Sequence, residues 1–301
     1  MTQPRRRDMP EQLGADPQNG QEPRLLDAVY NRRSIRRYER QPLGTSTIEK
    51  IGALCQAVLP LVAENRVDMV LRNVMPEEDM VARLGGYGRI VTPPHYLVVY
   101  GKGKHFLMED IGYRAEQVAV GLVRLGLGSC FIGCVGREER VRSDHALPAD
   151  VRMVAFLVFG QLPSAFRDRT VNSVMRVVAG ATRKLPPDRL FHAGDFEHHG
   201  PPPAELAPVI EAARRSPSAV NAQPWRFLWS NSVLYAYVQR KPRGLSLLAE
   251  YRRHDGGICL ANISLALRAL GLSRPWTPLA AASTDAPLHP TELEPLACMH
   301  L

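Results

Sequence analysis

Asp110–Ser129, DIGYRAEQVAVGLVRLGLGS, returns in altered form as Asp255–Ser273, DGGICLANISLALRALGLS. In each, an aspartate and a glycine lead a long apolar run, and Gly126 and Gly271 stand sixteen residues after their aspartates, at a constant offset of 145. Gln117 falls opposite Asn262 at the same offset. Apolar residues on nearly every face predict two buried helices, Ile111–Leu127 and Ile258–Leu272. A second correspondence precedes the first: Thr47–Pro60 and Ala204–Pro217 both read as a helix closed by a proline, at an offset of 157. Two matches in the same order predict an internal duplication, with a disordered basic tail over 1–23, a first half with a connector arm over 24–200, and a shorter second half over 201–301.

Composition bounds the rest. The chain has 301 residues, 45% apolar and 23% charged, which suits a globular protein and excludes collagen, coiled-coil and wholly disordered classes. The apolar runs Tyr96–Tyr100 and Met153–Phe159 read as buried strands and are far shorter than the ~20 residues of a bilayer span. Arg5, Arg6 and Arg7 are followed by no apolar stretch of the secretory kind, so the expected compartment is the cytoplasm, with no membrane partner. The five cysteines, Cys55, Cys130, Cys134, Cys259 and Cys298, are expected as free thiols. A formal charge of +8 would attract anions, but neither a recognition helix nor an aromatic-basic platform accompanies it, so no specific nucleic-acid partner is expected.

Between the predicted elements, Gly85-Gly86-Tyr87-Gly88 reads as a mobile loop, and Gln161–Pro203, rich in proline and arginine, reads as the connector arm. Cys130 and Cys134 lie in an apolar turn after a buried helix and read as structural. His192, His198 and His199 with Asp195 and Glu197 match no tight ligand template, so no metal site is expected.

Two segments carry chemistry. In Arg32-Arg33-Ser34-Ile35-Arg36-Arg37-Tyr38, several guanidiniums and a hydroxyl crowd into seven residues. Guanidiniums this close repel unless an anion neutralises them, and their forks match phosphate oxygens. If the run is extended, Ser34 and Arg36 face the same way. In Ser216–Phe227, SPSAVNAQPWRF, small hydroxyls, carboxamides and two prolines make a stiff polar loop suited to the edge of a heterocycle.

Together these two segments resemble the FMN-binding nitroreductase family, which pairs an RRSxR-type segment with a PSxxNxQPWRF segment. Gly112-Tyr113, Glu116, Gly126–Gly133, and Arg183-Lys184-Leu185-Pro186 before Leu190-Phe191 extend the likeness over most of Leu25–Trp276. The resemblance implies an α+β nitroreductase-like fold. It also implies FMN as cofactor and NADH or NADPH as reductant, with hydride passed to a small conjugated acceptor. Arg32, Arg33, Ser34 and Arg36, completed by Arg183 or Lys184, would hold the phosphate and ribityl chain; Pro217, Ser218 and Asn221 would border the ring. Backbone groups of Ser129, Cys130, Ile132 and Gly133 would approach it. No catalytic acid or base stands out, because the flavin itself exchanges hydride.

The chain departs from the family pattern in one respect. Neither half has both segments: the first reads Pro60-Leu61-Val62-Ala63-Glu64-Asn65 where PSxxN belongs, and the second reads Arg189-Leu190-Phe191-His192-Ala193 where RRSxR belongs. Family members are homodimers with sites across the interface, so the two incomplete halves imply a single-chain pseudo-dimer with one FMN site. A monomer or a weak homo-oligomer is expected, and the alternative function is flavin sequestration without turnover.

Overall fold

The computed structural model describes residues 24–75, 78–163, 183–241 and 248–301. The tail and the middle of the connector arm fall outside them. The first half begins with α1 (Leu25–Asn31) and α2 (Thr45–Gln56), then β1 (Arg66–Asn73), α3 (Met80–Leu84), β2 (His95–Lys102), α4 (Leu107–Arg124), β3 (Leu127–Gly133), α5 (Glu138–Asp144) and β4 (Arg152–Gln161). The connector arm adds β5 (Phe191–Ala193), and the second half comprises α6 (Ala207–Arg215), β6 (Trp225–Ser230), β7 (Val233–Gln239), α7 (Leu248–Ala269), β8 (Thr277–Pro278) and β9 (Leu293–His300).

The strands form two antiparallel sheets, β1-β2-β4-β3 and β6-β7-β9-β8, with β5 added in parallel along β6. Strand order, and the long helix inserted after the second strand, are the same in both: the fold is α+β, two halves arranged as an intrachain pseudo-dimer. β2 and β4 are buried on both faces, which explains their unbroken apolar runs. Leu97, Val99, Leu157 and Phe159 face α4 and α2; Tyr96, Val98, Phe156 and Val158 face α3, α5, Ile35 and Tyr38.

The two long helices pack together as the centre of the molecule. Gly112 of α4 lies against the His254 carbonyl of α7, and Gly257 of α7 against the Glu109 carbonyl of α4, so closely that a Cβ on either would overlap the opposing backbone. The contact is reciprocal, residue for residue, at the offset of 145, as a two-fold axis requires. The loops after α2 and α6 repeat the relation. Asp110 accepts a hydrogen bond from Leu61 N–H (2.7 Å) and Asp255 from Ala219 N–H (3.0 Å). Gln117 exchanges hydrogen bonds with the Leu59 backbone (2.8 and 2.9 Å), and Asn262 donates to Ser216 Oγ (2.8 Å).

Some boundaries differ from expectation. The helix expected over Ile111–Leu127 starts earlier and ends at Arg124; Gly126, at φ 73°, turns the chain so that Leu127 opens β3. The helix expected from Ile258 begins at Leu248 and ends at Ala269. The glycine-rich stretch at 85–89 forms a short helical turn after α3, with Gly88 packed on the Met80 carbonyl where no Cβ fits. Cys130 sits within a strand instead of a turn.

Candidate functional site

After α1 the chain runs extended along the outer edge of β3. Ser34 bridges Ser129 in parallel, Ile35 N–H donates to Ser129 O (2.8 Å), and Glu39 N–H donates to Gln161 O (2.9 Å). Ile35 and Tyr38 turn into the core, which leaves Ser34 and Arg36 half-buried on the other side, as alternation requires. Gly128 makes the approach possible, since a Cβ there would press on Ile35 at 2.9 Å. The bridge stops at Ser129, and β3 ends its sheet, so no strand among the described residues pairs with Phe131–Gly133 on that side. The Cys130 and Ile132 side chains point into the core, so only their backbone groups face this edge. Gly133 packs against the Tyr251 hydroxyl, which accepts a hydrogen bond from Val135 N–H (3.2 Å).

Arg32 takes a different course from its neighbours. Arg33 faces outward, whereas the Arg32 guanidinium lies inside, 5.0 Å from the Phe131 ring centroid, with Nε 3.1 Å from Glu116 Oε1 of α4. The two side chains are 1% and 0% exposed. None of the three guanidinium nitrogens and neither carboxylate oxygen makes a directed hydrogen bond among the described residues. Burial pushes the Glu116 carboxyl up to about 7, against the opposing pull of Arg32, Asn262 and Lys184.

The second segment comes from the other half. Ser216, buried at the end of α6, donates from Oγ to Ala212 O (3.2 Å) and accepts from Asn262; its carbonyl accepts from Lys184 Nζ (2.6 Å). From Pro217 onward the loop turns sharply, with Val220, Asn221 and Gln223 at φ 43°, 58° and 48°. Left-handed backbone at a β-branched valine is strained and persists only where its surroundings over-determine it. Here Ser218 Oγ accepts from Gln223 N–H (2.9 Å), and Asp255 holds Ala219. Gln223 takes Leu185 N–H on its Oε1 (2.8 Å), and Gln223 and Asn221 both donate to the Arg183 carbonyl (3.3 Å each). Arg183 and Lys184 are therefore pinned to this loop. Burial lowers the Lys184 ammonium to about 8, with repulsion from Arg32 adding to it.

The structure thus links Arg32, on the segment that carries Ser34 and Arg36 along the β3 edge, to Lys184 of the connector arm and the Ser216–Gln223 loop of the second half. The string Arg32–Glu116–Asn262–Ser216–Lys184 joins them. Glu116 and Asn262 had no role assigned on sequence; the signal available was a carboxylate and a carboxamide inside helices otherwise apolar. The mirror position lacks the acid, since Ala261 corresponds to Glu116, and Arg114 fills that region by donating to Asn65 O (3.0 Å) while paired with Asp110. A crevice of about 980 Å³ beside α5 and one of about 400 Å³ at the start of α4 lie away from this constellation, and both are lined by charges of both signs.

Elsewhere, the His192 and His199 rings sit 4.5 Å apart, and burial, then His199, lowers His192 to about 4. No three His, Cys, Asp or Glu side chains gather as a metal site among the described residues. All five cysteines are free thiols; burial raises Cys55 to about 11 and Cys134 to about 12. No helix of the described residues is long and apolar enough to cross a membrane.

The family described as "Putative TM nitroreductase" matches residues 24–267, and this chain belongs to it. Among solved structures, a "putative nitroreductase" of Thermotoga maritima is 19% identical, covers 96% of this chain and 99% of its own, and superposes with a TM-score of 0.58. An FMN complex of a "putative nitroreductase" from Desulfovibrio desulfuricans is 19% identical over 49% of this chain and 96% of its own, with a TM-score of 0.40. The FMN-dependent nitroreductase of Clostridium difficile is 16% identical over 44% of this chain and 85% of its own, with a TM-score of 0.39. No curated protein matches.

Proposed function

We propose that this chain is an FMN-dependent oxidoreductase carrying hydride from NADH or NADPH to a small conjugated acceptor such as a nitroaromatic or quinone. One observation supports it above the rest: the Arg32 guanidinium is buried against Glu116 without a well-directed hydrogen bond on any nitrogen, and a second cation, Lys184, lies near enough to repel it. A buried charge left so poorly satisfied is costly, and two neighbouring cations suit a phosphate. The residues present therefore fit FMN.

In this reading Arg32 and Lys184 bind the phosphate, and Ser34 and Arg36, sharing one face of the extended segment, hold the ribityl chain and the phosphate's outer oxygens. Pro217, Ser218 and Asn221 border the ring on one side. The unpaired edge at Phe131–Gly133 offers it backbone donors and acceptors on the other. The chemistry such a cofactor supplies is two-electron hydride transfer. The protein positions and desolvates; the strained Val220–Gln223 loop, fixed by Asp255 and Arg183, keeps the ring's border rigid. The five cysteines, with thiols raised by burial, take no part in this reading.

The test is the visible spectrum of the purified protein, followed by anaerobic addition of NADH or NADPH. A bound flavin band that bleaches supports the oxidoreductase. A band that persists means binding without turnover, and absence of flavin after reconstitution overturns the reading of both segments.

A further inference from the structure

Two walls are assigned to the ring, the Phe131–Gly133 edge of the first half and the Pro217–Asn221 loop of the second, and one face of α7 runs between them. Tyr251, His254, Asp255, Ile258 and Asn262 stand at the i, i+3, i+4, i+7 and i+11 positions that share a single stripe of a helix. Both ends of the stripe are anchored. Asn262 donates to Ser216 Oγ, and the Ser216 carbonyl accepts from Lys184 (2.6 Å), so this end lies with the cations assigned to the phosphate. Eleven residues earlier, about 16 Å along the helix, the Tyr251 hydroxyl packs against Gly133 and accepts from Val135 N–H (3.2 Å).

His254 and Asp255 straddle the stripe between those ends, and each touches a different wall. Asp255 accepts from Ala219 N–H (3.0 Å) in the second-half loop. The His254 imidazole meets the Phe131 ring of the first half at right angles, with centroids 5.5 Å apart. His254 is 2% exposed; its Nδ1 faces Asp255 Oδ1 at 3.9 Å, while Nε2, the nitrogen farther from the backbone, has no hydrogen-bond partner among the described residues. A buried polar atom of this kind is uncommon and costly. The equivalent position across the pseudo-two-fold axis is Glu109, just as buried, and there the side chain is paired with Arg253. The unpartnered nitrogen therefore belongs to the one side of the axis on which both walls are complete.

We propose that this turn of α7 is the floor of the ring pocket and that His254 donates a hydrogen bond from Nε2 to the polar edge of the isoalloxazine, favouring the reduced ring. The inference rests on the FMN reading and adds a residue to it. The polar edge of that ring carries several acceptors and a single N–H, so a donor is the group that meets most of it. A ring that has accepted hydride holds two more electrons, and its acceptors bind a donor more strongly than before. Asp255 is the positioning residue, tying the imidazole to the loop on the opposite wall.

The experiment uses the full chain loaded with FMN, comparing wild type with His254→Leu, which keeps much of the shape without the nitrogens, and His254→Gln, which restores an N–H at similar reach. Two spectroscopic readouts report electron density on the ring without turnover: the midpoint potential of the flavin, and its affinity for sulfite, which forms a sulfur–nitrogen bond to the oxidised ring and leaves its electron pair there. His254→Leu should bind sulfite about tenfold more weakly, as expected for one lost hydrogen bond to a charged acceptor. Its potential should fall by the equivalent, about 30 mV for a two-electron couple. His254→Gln should recover most of both. Unchanged values in His254→Leu, a higher potential, or equal losses in the two variants would mean that the imidazole only packs on Phe131, and overturns the proposal with the FMN reading intact. Failure of wild type to bind FMN overturns both. If His254→Leu does not fold, the nitrogen-15 resonance of His254 Nε2, assigned as the signal missing from His254→Gln, should move when FMN binds and again when dithionite reduces it. A resonance indifferent to both steps overturns the proposal.

Discussion

Arg32 and Glu116 face each other almost wholly out of water, and their burial makes stability respond to pH. Glu116 has a folded value of about 7, above the ordinary carboxylate range, so the folded state binds more protons between roughly pH 4.5 and pH 7 than the unfolded state does. The favourable contribution is full below that window and is lost as pH rises through it. His192, held by burial at about 4, works in the opposite direction over much of the same range, so the expectation lies in the difference: Glu116→Gln should gain unfolding temperature relative to wild type as pH rises from 5.5 to 7.5 in a scanning calorimeter. Arg36 belongs to a different class: it is half-buried on the outer side of the segment, and its removal strands no buried partner. Arg36→Gln should fold normally and lose about tenfold or more in FMN affinity by fluorescence titration, since a charge-assisted hydrogen bond contributes roughly 1.5–3 kcal/mol. The grouping of Ser34 with Arg36 was legible in sequence because an extended chain sorts side chains by twos. The inward turn of Arg32 was not, because its partner lies on a helix far along the chain.

At the level of elements, α4 and α7 owe their close crossing to two glycines. Gly257→Ala would drive a methyl into the Glu109 carbonyl, and backbone cannot rotate away as a side chain can. A loss of about 1–3 kcal/mol, toward the upper end, is expected by denaturant unfolding. Gly52→Ala is the contrast: Gly52 lies within α2 with nothing within 4 Å of the added Cβ, and helix propensity alone should stabilise the protein by about 0.5–1 kcal/mol. The buried helices and the strands β2 and β4 were legible because apolar residues cover both of their faces. β1, at a sheet edge and mostly half-exposed, has no such run and was missed. The end of α4 was placed too late, since Leu125 and Leu127 continue the apolar pattern while Gly126 breaks the helix.

Across the whole molecule, the core is continuous through the central pair of helices: Tyr113 of α4 packs in the second half's cluster, and Ala28, Val120, Ala212 and Ala266 join α1, α4, α6 and α7 in another. Neither half should unfold alone. A single calorimetric transition and elution as one chain are expected, whereas two separable transitions would show that the halves are independent. The duplication itself was legible, because its two correspondences sit at offsets that the hydrogen bonds of Asp110, Asp255, Gln117 and Asn262 reproduce. The segment each half lacks is what underlies the proposal of a single flavin site. The pseudo-two-fold axis has a further consequence. In a symmetric pair of identical subunits each substitution lands twice, so a change that improves one surface is imposed on its twin. Here Glu116 corresponds to Ala261, and Arg33, Ser34 and Arg36 correspond to Leu190, Phe191 and Ala193, so a change at these positions lands once. One half is free to be refined for holding a ligand while the other is refined for holding the first in shape.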